Sequence, residues 1–403
     1  MEKEYDAIII GAGVIGLTQA VALVQAGFTV AIVDQNNPPV NSISDIFDAR
    51  VFALNRYSEN CLQQWDIWPH IKKLRYAAYH EVKLAIGNTE PNLSLMDKDD
   101  AEPNLGHIVE QQVWRLAAFE ALETSDHCDF YWQHELKQTE KLNSTRIKIL
   151  LQESPVTHSQ SIITLRTQLL IGADGAHSKV RENAHIASDN FPTNQIALVF
   201  NLKLTESHQF KAQQFFSSLG IIAFLPLPEA HHYSIVWSIP QKADYLLELS
   251  NEALCCEIKN ICGIQWGEIE IVSKRYTFPL QQQQAKTYIG DHTVLIGDAA
   301  HVIHPLAGQG ANLGIADIAE LTKQMTLARD KNRPLGDPVI LRAYERQRRS
   351  AAWQMMATMS SLQKMGSAPI IIQQGLNLGA TLLNKAKPIK NLLSRFALYR
   401  FTK

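Results

Sequence analysis

The stretch that decides the fold is Tyr5-Asp-Ala-Ile-Ile-Ile10-Gly11-Ala-Gly13-Val-Ile-Gly16. Its apolar, β-branched start predicts a strand over residues 5–10, and the segment 14–26 that follows predicts an amphipathic helix. In this setting Gly11 permits a tight turn, Gly13 lets the backbone approach a pyrophosphate, and Gly16 lets the helix pack closely on the strand. The positive end of the helix then faces the phosphates. The pattern therefore predicts a dinucleotide-binding βα unit.

A second predicted strand, residues 28–33, ends at Asp34. An acidic residue roughly 20 residues after the glycines is placed to accept hydrogen bonds from a ribose. A glycine turn can also join a strand to a helix without any ligand, but here the strand, turn, helix, second strand and acid occur together and favour dinucleotide binding. Asp34 does not choose between NAD and FAD, because both present an adenosine ribose.

A second glycine-rich motif makes that choice. Residues 293–296 predict a short strand that runs into Gly297-Asp298, and a glycine-rich turn then precedes a predicted helix. Asp298 can accept a hydrogen bond from a ribitol hydroxyl, and the turn offers backbone N–H groups to an electron-rich ring. NAD has no ribitol, so the motif predicts FAD. The residues expected to line the flavin are Pro305, Gly308, Gln309, Gly310, Ala311 and Asn312.

The composition excludes several other classes of protein. With 403 residues, 46% apolar and 19% charged, the chain is long enough for two domains and is not intrinsically disordered. A net charge of −2 provides no field that attracts nucleic acid. Five cysteines without C-x-x-C spacing indicate neither disulfides nor zinc. His301 and His304 alone do not make a metal site, so no metal is expected.

The sequence also lacks the signals of secretion and of membrane insertion. The N-terminus has no long apolar region followed by a small-residue cleavage site, and no stretch reaches the roughly 18 apolar residues that span a bilayer. A cytoplasmic protein is therefore expected, with any contact to the inner membrane being peripheral.

Several stretches along the chain form a wider pattern: Gly11 to Gly16, Asp48-Ala-Arg50-Val-Phe-Ala-Leu-Asn55, Gly106-His-Ile-Val-Glu110, Gly172-Ala-Asp174-Gly175-Ala-His-Ser178-Lys-Val-Arg181, and Gly297 to Asp317. Together they resemble the flavin-dependent aromatic hydroxylases, which have the para-hydroxybenzoate hydroxylase fold, and within them the ubiquinone-biosynthesis (UbiH/VisC) branch. Residues 304–317 resemble the signature of that branch. Residues 220–228 and 234–238 resemble substrate-domain strands of its VisC-like 2-polyprenylphenol hydroxylases.

The resemblance implies roles for individual residues. Asp34 would hold the adenosine ribose, and Asp298 would hold the ribitol chain. Arg50 would lie near the flavin diphosphate or the approach path of the nicotinamide, and Arg115 would lie near the ribitol. Asp174 would belong to a turn that serves both FAD and the nicotinamide cofactor.

Two of these stretches admit a plainer interpretation or a weaker match. The Asp174-Gly175 turn is, on its own pattern, also a strand-to-helix turn capped by Ser178. Residues 109–113 depart from the family's Val-Glu-Asn pattern at Gln111, so no specific role is assigned to Gln111 or Gln112.

The reaction implied by the resemblance is hydroxylation of the aromatic ring of a polyprenylated phenol in ubiquinone biosynthesis. The flavin would carry the chemistry through a C4a-hydroperoxide, with O2 as co-substrate and NAD(P)H as a transient reductant, so no side chain is expected to be catalytic. Two alternatives stay open at this point. One is a flavin oxidoreductase that inserts no oxygen, and the other is an FAD-binding scaffold subunit of a biosynthetic complex.

The predicted fold is α/β, with a Rossmann-like FAD-binding domain formed by residues 1–78, 105–188 and 281–350. Alternating apolar runs over 195–204 and 221–239 predict an interleaved antiparallel-sheet substrate domain, formed by residues 79–104 and 189–280. Four of its residues are predicted to contact substrate, although each taken singly is more typical of a core: Phe224, Leu225, Pro226 and Trp237.

Residues 351–403 are predicted to form a C-terminal helical segment with apolar faces and several basic side chains. It would either cap the FAD-binding domain or dock on anionic lipid or on proteins of a ubiquinone-biosynthesis complex. The sequence leaves a homo-oligomer open.

Overall fold

The computed structural model describes residues 3–39, 42–86, 93–95, 104–154, 162–263, 267–303 and 308–366. In chain order, the strands of these residues are β1 (Lys3–Ile10), β2 (Val30–Asp34), β3 (Val51–Asn55), β4 (Ala77–Tyr79), β5 (Glu81–Ile86), β6 (Leu93–Leu95), β7 (Gly106–Glu110), β8 (Cys128–Trp132), β9 (His134–Lys141), β10 (Ile147–Glu153), β11 (Ile162–Gly172), β12 (Ser188–Leu204), β13 (Lys211–Ser217), β14 (Gly220–Pro226), β15 (His232–Pro240), β16 (Ile269–Ile271), β17 (Tyr276–Ala285), β18 (Ile289–Gly290), β19 (Thr293–Leu295) and β20 (His301–Val302). The α-helices are α1 (Val14–Gln25), α2 (Arg56–Gln64), α3 (Trp68–Lys73), α4 (Gln111–Glu123), α5 (Lys179–Asn183), α6 (Asn251–Cys262), α7 (Gln309–Asp330) and α8 (Pro338–Gly366), and 3-10 helices cover Gln241–Leu247 and Gly297–Ala299.

The first sheet has the strand order β18-β19-β11-β1-β2-β8, with β10 and β9 added beside β11. Its central strands β19, β11, β1, β2 and β8 run parallel. Ile8 and Ile9 in β1 are fully buried, as expected for a parallel strand that is covered on both faces. The parallel register aligns Ile10 with Val33 and with Gly172, and Gly172 with Leu295. The turns that follow these residues therefore meet at one edge of the sheet.

The second sheet has the order β20-β17-β12-β15-β14-β13-β5-β6, with β16 beside β12. Its strands pair antiparallel except for β13 and β5. Strands β5 and β6 are inserted between α3 and β7, whereas the others follow α5. The predicted architecture, an α/β fold with an interleaved antiparallel sheet, is confirmed.

The two faces of the second sheet are covered differently. One face forms a core with α6, which includes Phe224, Trp237, Leu254 and Ile258. The other face packs towards the third sheet, β3-β7-β4, through contacts that include Leu225. This second face therefore faces β3, the strand that follows the loop of residues 42–50.

Helix α8 packs on α7 and braces the first sheet, because the Tyr344 hydroxyl donates to the Leu295 carbonyl at 2.8 Å. The predicted domain boundary at residue 350 falls inside α8, which contains no glycine or proline between Pro338 and Gly366. One helix therefore continues across that boundary, as expected where nothing in the sequence breaks a helix. The remainder of the predicted C-terminal segment, 367–403, lies outside the described residues. No helix of the described residues is long and apolar enough to cross a bilayer.

Candidate cofactor and substrate site

The three glycines of the first turn meet different surroundings. Gly11 has φ +105°, and an added Cβ would lie 2.4 Å from the Ala173 carbonyl oxygen. A Cβ on Gly16 would lie 1.8 Å from the Gly11 carbonyl oxygen. A Cβ on Gly13, by contrast, would meet nothing within 4 Å. Gly11 and Gly16 are thus required by the fold, whereas Gly13 leaves open space where a ligand can approach the backbone.

Two charged side chains hold the first turn in place. The Ala12 N–H donates to Asp34 Oδ2 at 2.6 Å, and Arg115 Nε donates to the Ala12 carbonyl at 3.0 Å. The other Asp34 oxygen accepts from the Asn36 N–H at 2.8 Å, while Arg115 Nη2 donates to the Asn37 carbonyl at 3.2 Å. Asp34 and Arg115 therefore both bind the first turn. Each of them bonds to the backbone of Ala12 rather than to a glycine.

Asp298 lies in the turn after β19, beside the first turn. An added Cβ on Gly297 would be 3.2 Å from Ile15 Cγ2 of α1, so the two turns are in contact. The Asp298 side chain is exposed to solvent, although many protein atoms lie near it. Desolvation raises the pKa of its carboxyl, and the charges of His301 and Arg50 oppose that rise. An exposed carboxylate set deep in the fold is available to a polar ligand.

The Asp174 turn contacts the Asp298 turn through Arg181. Asp174 Oδ2 accepts from the N–H groups of Lys179 and Val180 at 2.6 and 3.1 Å, so it caps α5 together with Ser178. Arg181 donates to the Ala299 carbonyl at 2.9 Å. Desolvation raises the pKa of Asp174, and its Oδ1 is buried without a hydrogen-bond partner among the described residues. The plainer interpretation of this turn as a capped helix start is correct, and Oδ1 still offers an acceptor to a ligand.

The glycine-rich motif before α7 places a helix N-terminus near this edge. Gly308 has φ +63° and is the N-cap of a 22-residue helix whose first N–H groups, at Gln309, Gly310 and Ala311, have no acceptor within the helix. The positive end of α7 can therefore stabilise negative charge on a ligand. Pro305 lies outside the described residues.

The side chain of Asn312, which is also predicted to bind the cofactor, makes its hydrogen bonds within the fold. Its Oδ1 accepts from the Asn55 N–H and the Ser58 hydroxyl at 3.0 and 2.7 Å, and its Nδ2 donates to the Ala53 carbonyl at 2.8 Å. The amide is completely buried and joins α7 to β3 and α2. Only its backbone is left for a role at the site.

Arg50 is exposed at the end of a loop that joins both halves of the molecule. Arg75 forms a two-point ion pair with Glu110, at 2.6 and 2.7 Å, and Glu110 accepts from the Asp48 N–H at 2.6 Å. From the second sheet, Asn201 donates to the Phe47 carbonyl at 2.8 Å and Ser234 donates to the Ala49 carbonyl at 3.1 Å. Sequence reasoning gave Glu110 and Arg75 no role, although Glu110 ends one of the quoted motifs.

The four predicted substrate residues are divided between the two faces of the second sheet. Phe224 and Trp237 are fully buried in the core with α6, and Trp237 Nε1 donates to the Leu219 carbonyl at 3.1 Å. Strand alternation places Pro226 on the same face as Phe224. Leu225 points the other way, towards Ala53 and Tyr79. Every residue of β14 is buried, so the pattern of the strand does not reveal which face is nearer the site.

Val236, which sequence reasoning did not single out, lies on the same face of the sheet as Leu225. It is only partly buried, although β12 and β14 flank its strand on both sides. It packs against the apolar cluster that includes Leu225 and against the cluster formed by Ala49, Ala197 and Val199. A residue of intermediate burial in a central strand shows that this face of the sheet is not completely covered. The signal in the sequence is the alternation of side chains along the strand: because Trp237 is typical of a core residue, its neighbour Val236 must point to the opposite face.

The fold and these turns define a class of protein: one that binds a dinucleotide of the FAD type across the carboxyl edge of a parallel sheet. Three observations fit FAD, namely the open space at Gly13, the exposed carboxylate of Asp298 and the unpartnered Oδ1 of Asp174. The chain belongs to the FAD binding domain family, whose model matches residues 4–359. FAD as the predicted cofactor is thereby confirmed.

Comparison with known proteins agrees with this assignment. The chain is 28% identical to ubiquinone hydroxylase UbiL of Rhodospirillum rubrum, covering 98% of this chain and 90% of that protein. It is 27% identical to the mitochondrial ubiquinone biosynthesis monooxygenase COQ6 of Homo sapiens, covering 98% and 92%. The crystal structure of p-nitrophenol 4-monooxygenase PnpA from Pseudomonas putida DLL-E4 superposes with a TM-score of 0.80 at 17% identity, covering 100% and 98%. The predicted resemblance to hydroxylases of ubiquinone biosynthesis is confirmed.

We expect Asp298→Ala to weaken FAD binding while the fold is retained, because its carboxylate is exposed to the ligand rather than used in the core. A hydrogen bond to a charged acceptor contributes about 1.5–3 kcal/mol, or roughly a tenfold to hundredfold loss of affinity. Titration of the apoprotein with FAD, together with its melting temperature, measures both effects. Unchanged FAD affinity would remove Asp298 from the site.

Proposed function

We propose that the protein is an FAD-dependent monooxygenase that hydroxylates the aromatic ring of a polyprenylated phenol in ubiquinone biosynthesis. The observation that carries the proposal is the accessible apolar surface at Val236, which faces strand β3. The loop before β3 brings Arg50 close enough to Asp298 for their charges to interact. An apolar ring held there would lie between the second sheet and the cofactor edge of the first sheet. The near full-length similarity to ubiquinone hydroxylases supports the same substrate class.

The residues of the chain have separate tasks in this proposal. Asp34 and Arg115 fix the turn that receives the diphosphate, and Asp298 binds the ribitol chain. The N-terminus of α7 stabilises negative charge on the ring system. Bound FAD would supply the redox chemistry, in which NAD(P)H provides two electrons, one oxygen atom of O2 enters the substrate and the other leaves as water. Ala49, Ala197 and Val199 line the apolar wall that excludes water from this reaction.

The size of the wall residues favours a ring as substrate. Ala197 and Ala223 flank Val236 and Ser238 on the same face, and their small side chains leave space above the sheet. The polyprenyl tail would be delivered at a membrane surface or by proteins of a biosynthetic complex. We place the peripheral membrane contact in the C-terminal segment, whose residues 367–403 carry several basic side chains.

The proposal is tested with purified, FAD-loaded protein, NADH or NADPH, O2 and a short-tailed polyprenylphenol. We expect the phenol to stimulate NAD(P)H oxidation and mass spectrometry to show a product that has gained one oxygen atom. An oxidoreductase that inserts no oxygen would consume NAD(P)H without that product. A scaffold subunit would bind FAD and show neither reaction, and either result would contradict the proposal.

A further inference from the structure

Asp317, in the middle of α7, is a fully buried carboxylate bonded to three separate elements of the fold. Its Oδ2 accepts from the Gly297 N–H at 3.0 Å and lies 2.6 Å from His301 Nε2. Its Oδ1 accepts from Arg348 Nε of α8 at 2.7 Å. We call these three side chains, Asp317, His301 and Arg348, the buried triad.

The buried triad surrounds the turn that presents Asp298. Gly297 immediately precedes Asp298, and its N–H is the donor to Asp317 Oδ2. His301 follows the same turn at the start of β20, so Asp317 holds the turn at both ends. Arg348 also donates to the Leu313 carbonyl at 3.2 Å, which fixes α8 on the first half of α7.

The electrostatics of the buried triad match this geometry. Desolvation by itself would raise the pKa of Asp317, but the charges of His301 and Arg348 and their hydrogen bonds hold it below its ordinary value. The carboxylate is therefore ionised at neutral pH and accepts from all of its partners. Buried ionic groups of this kind contribute little net stability compared with apolar packing, but removing one partner leaves the others uncompensated.

Helix packing adds a second connection between the triad and the cofactor turns. Gly314 lies one turn before Asp317, and an added Cβ there would be 2.7 Å from Ile15 Cδ1 of α1. Ile15 also contacts Gly297. A shift of α7 that follows loss of the triad would therefore displace both the Asp298 turn and the start of α1.

We propose that Asp317 is a positioning residue for FAD: through the Gly297 N–H it holds the turn that presents Asp298, and His301 and Arg348 hold Asp317. Helix α8 is in this way coupled to cofactor binding, since Arg348 bonds to Asp317 and Asp317 bonds to the turn. The inference rests on the cofactor site of the proposed function, but it does not depend on which substrate is hydroxylated.

The test compares Asp317→Asn with the control Glu345→Gln. Glu345 also lies on α8, but among the described residues its hydrogen bonds are to the Thr287 hydroxyl at 2.5 Å and the Tyr288 N–H at 2.8 Å rather than to the Gly297 turn. Apoprotein of each variant is titrated with FAD, and the visible absorption spectrum of the bound flavin and the melting temperature are recorded. We expect Asp317→Asn to weaken FAD binding by roughly tenfold or more and to change the flavin spectrum, because hydrogen bonds to a charged group are lost. Glu345→Gln should lower the melting temperature and leave FAD affinity within about twofold of the wild type.

Arg348→Lys keeps the proposal testable if Asp317→Asn does not fold. Lysine keeps the charge but cannot contact both Asp317 and Leu313, so we expect a smaller loss of FAD affinity. The double variant should lose less than the sum of the single losses, because both residues act through one network. The proposal is overturned if Asp317→Asn binds FAD within about twofold of the wild-type affinity. If Asp317→Asn is unfolded, the same result in Arg348→Lys overturns it. An equal loss of affinity in Glu345→Gln would overturn it as well. These are binding measurements, so absence of hydroxylation leaves them unaffected.

Discussion

Gly13→Val should strongly weaken FAD binding without disturbing the folded apoprotein. Gly13 has φ −72°, which suits any residue, and an added Cβ meets no atom within 4 Å. The new side chain would instead occupy the space through which the diphosphate approaches the backbone. Loss of two hydrogen bonds to a charged group, at about 1.5 kcal/mol each, corresponds to a weakening of FAD affinity by roughly a hundredfold.

The matched control is Gly16→Ala, which adds a smaller group at a position with no room for it. Its Cβ would overlap the Gly11 carbonyl oxygen at 1.8 Å, so α1 must move away from β1. We expect a loss of stability at the upper end of the roughly 1–3 kcal/mol that overpacking costs. Thermal unfolding of both apoproteins separates the two roles. A melting temperature that falls in Gly13→Val as far as in Gly16→Ala would mean that Gly13, too, serves only the fold.

Local sequence signals predicted the cofactor edge of the first sheet well. The strand, turn and helix at residues 5–26 are adjacent in the chain, and glycine spacing alone determines how closely α1 can approach β1. Asp34 and Asp298 each end or follow a strand of the same parallel sheet, so their positions follow from the rule that carboxyl ends of parallel strands share one edge. Such positions need no knowledge of distant contacts.

Positions that depend on distant contacts were beyond this reasoning. Asn312 lies in the predicted cofactor motif, but its side chain is bonded to β3 and α2, more than 250 residues earlier in the chain. Asp317 likewise has partners on β20 and α8, and no periodic pattern relates Asp317 to Arg348. A buried polar residue inside a helix signals that a partner exists, but only the packing of α7 against α8 identifies it.

The second sheet shows a different limit. When both faces of a strand are buried, alternation assigns residues to two faces but does not say which face borders the site. Large aromatic residues are then easily taken for ligand contacts. Here Phe224 and Trp237 fill the core on the side of α6. Small residues such as Ala197 and Ala223 mark the side that leaves room for a ligand.

Val236→Trp should therefore prevent substrate binding while leaving the cofactor in place. Val236 is accessible in the centre of the sheet and lies between Ala49, Val51 and Leu225, so a large side chain would fill the gap that we assign to the aromatic ring. Phenol-stimulated NAD(P)H oxidation and ring hydroxylation should fall by roughly a hundredfold, because an occupied cavity removes the apolar burial of the ring, on the order of 3 kcal/mol. FAD affinity should stay within about twofold of the wild type, since Val236 lies in the second sheet.

Trp237→Phe is the control for this experiment, because Trp237 is the adjacent residue on the opposite face of the same strand. Its substitution removes the hydrogen bond to the Leu219 carbonyl, which costs about 1 kcal/mol of stability, and leaves the face of Val236 untouched. The Michaelis constant for the phenol should then be unchanged in Trp237→Phe and greatly raised, or unmeasurable, in Val236→Trp. Normal turnover in Val236→Trp would show that the ring binds elsewhere. If only Trp237→Phe were defective in phenol turnover, substrate would have to bind on the side of α6. That result would contradict our assignment of this side to the hydrophobic core.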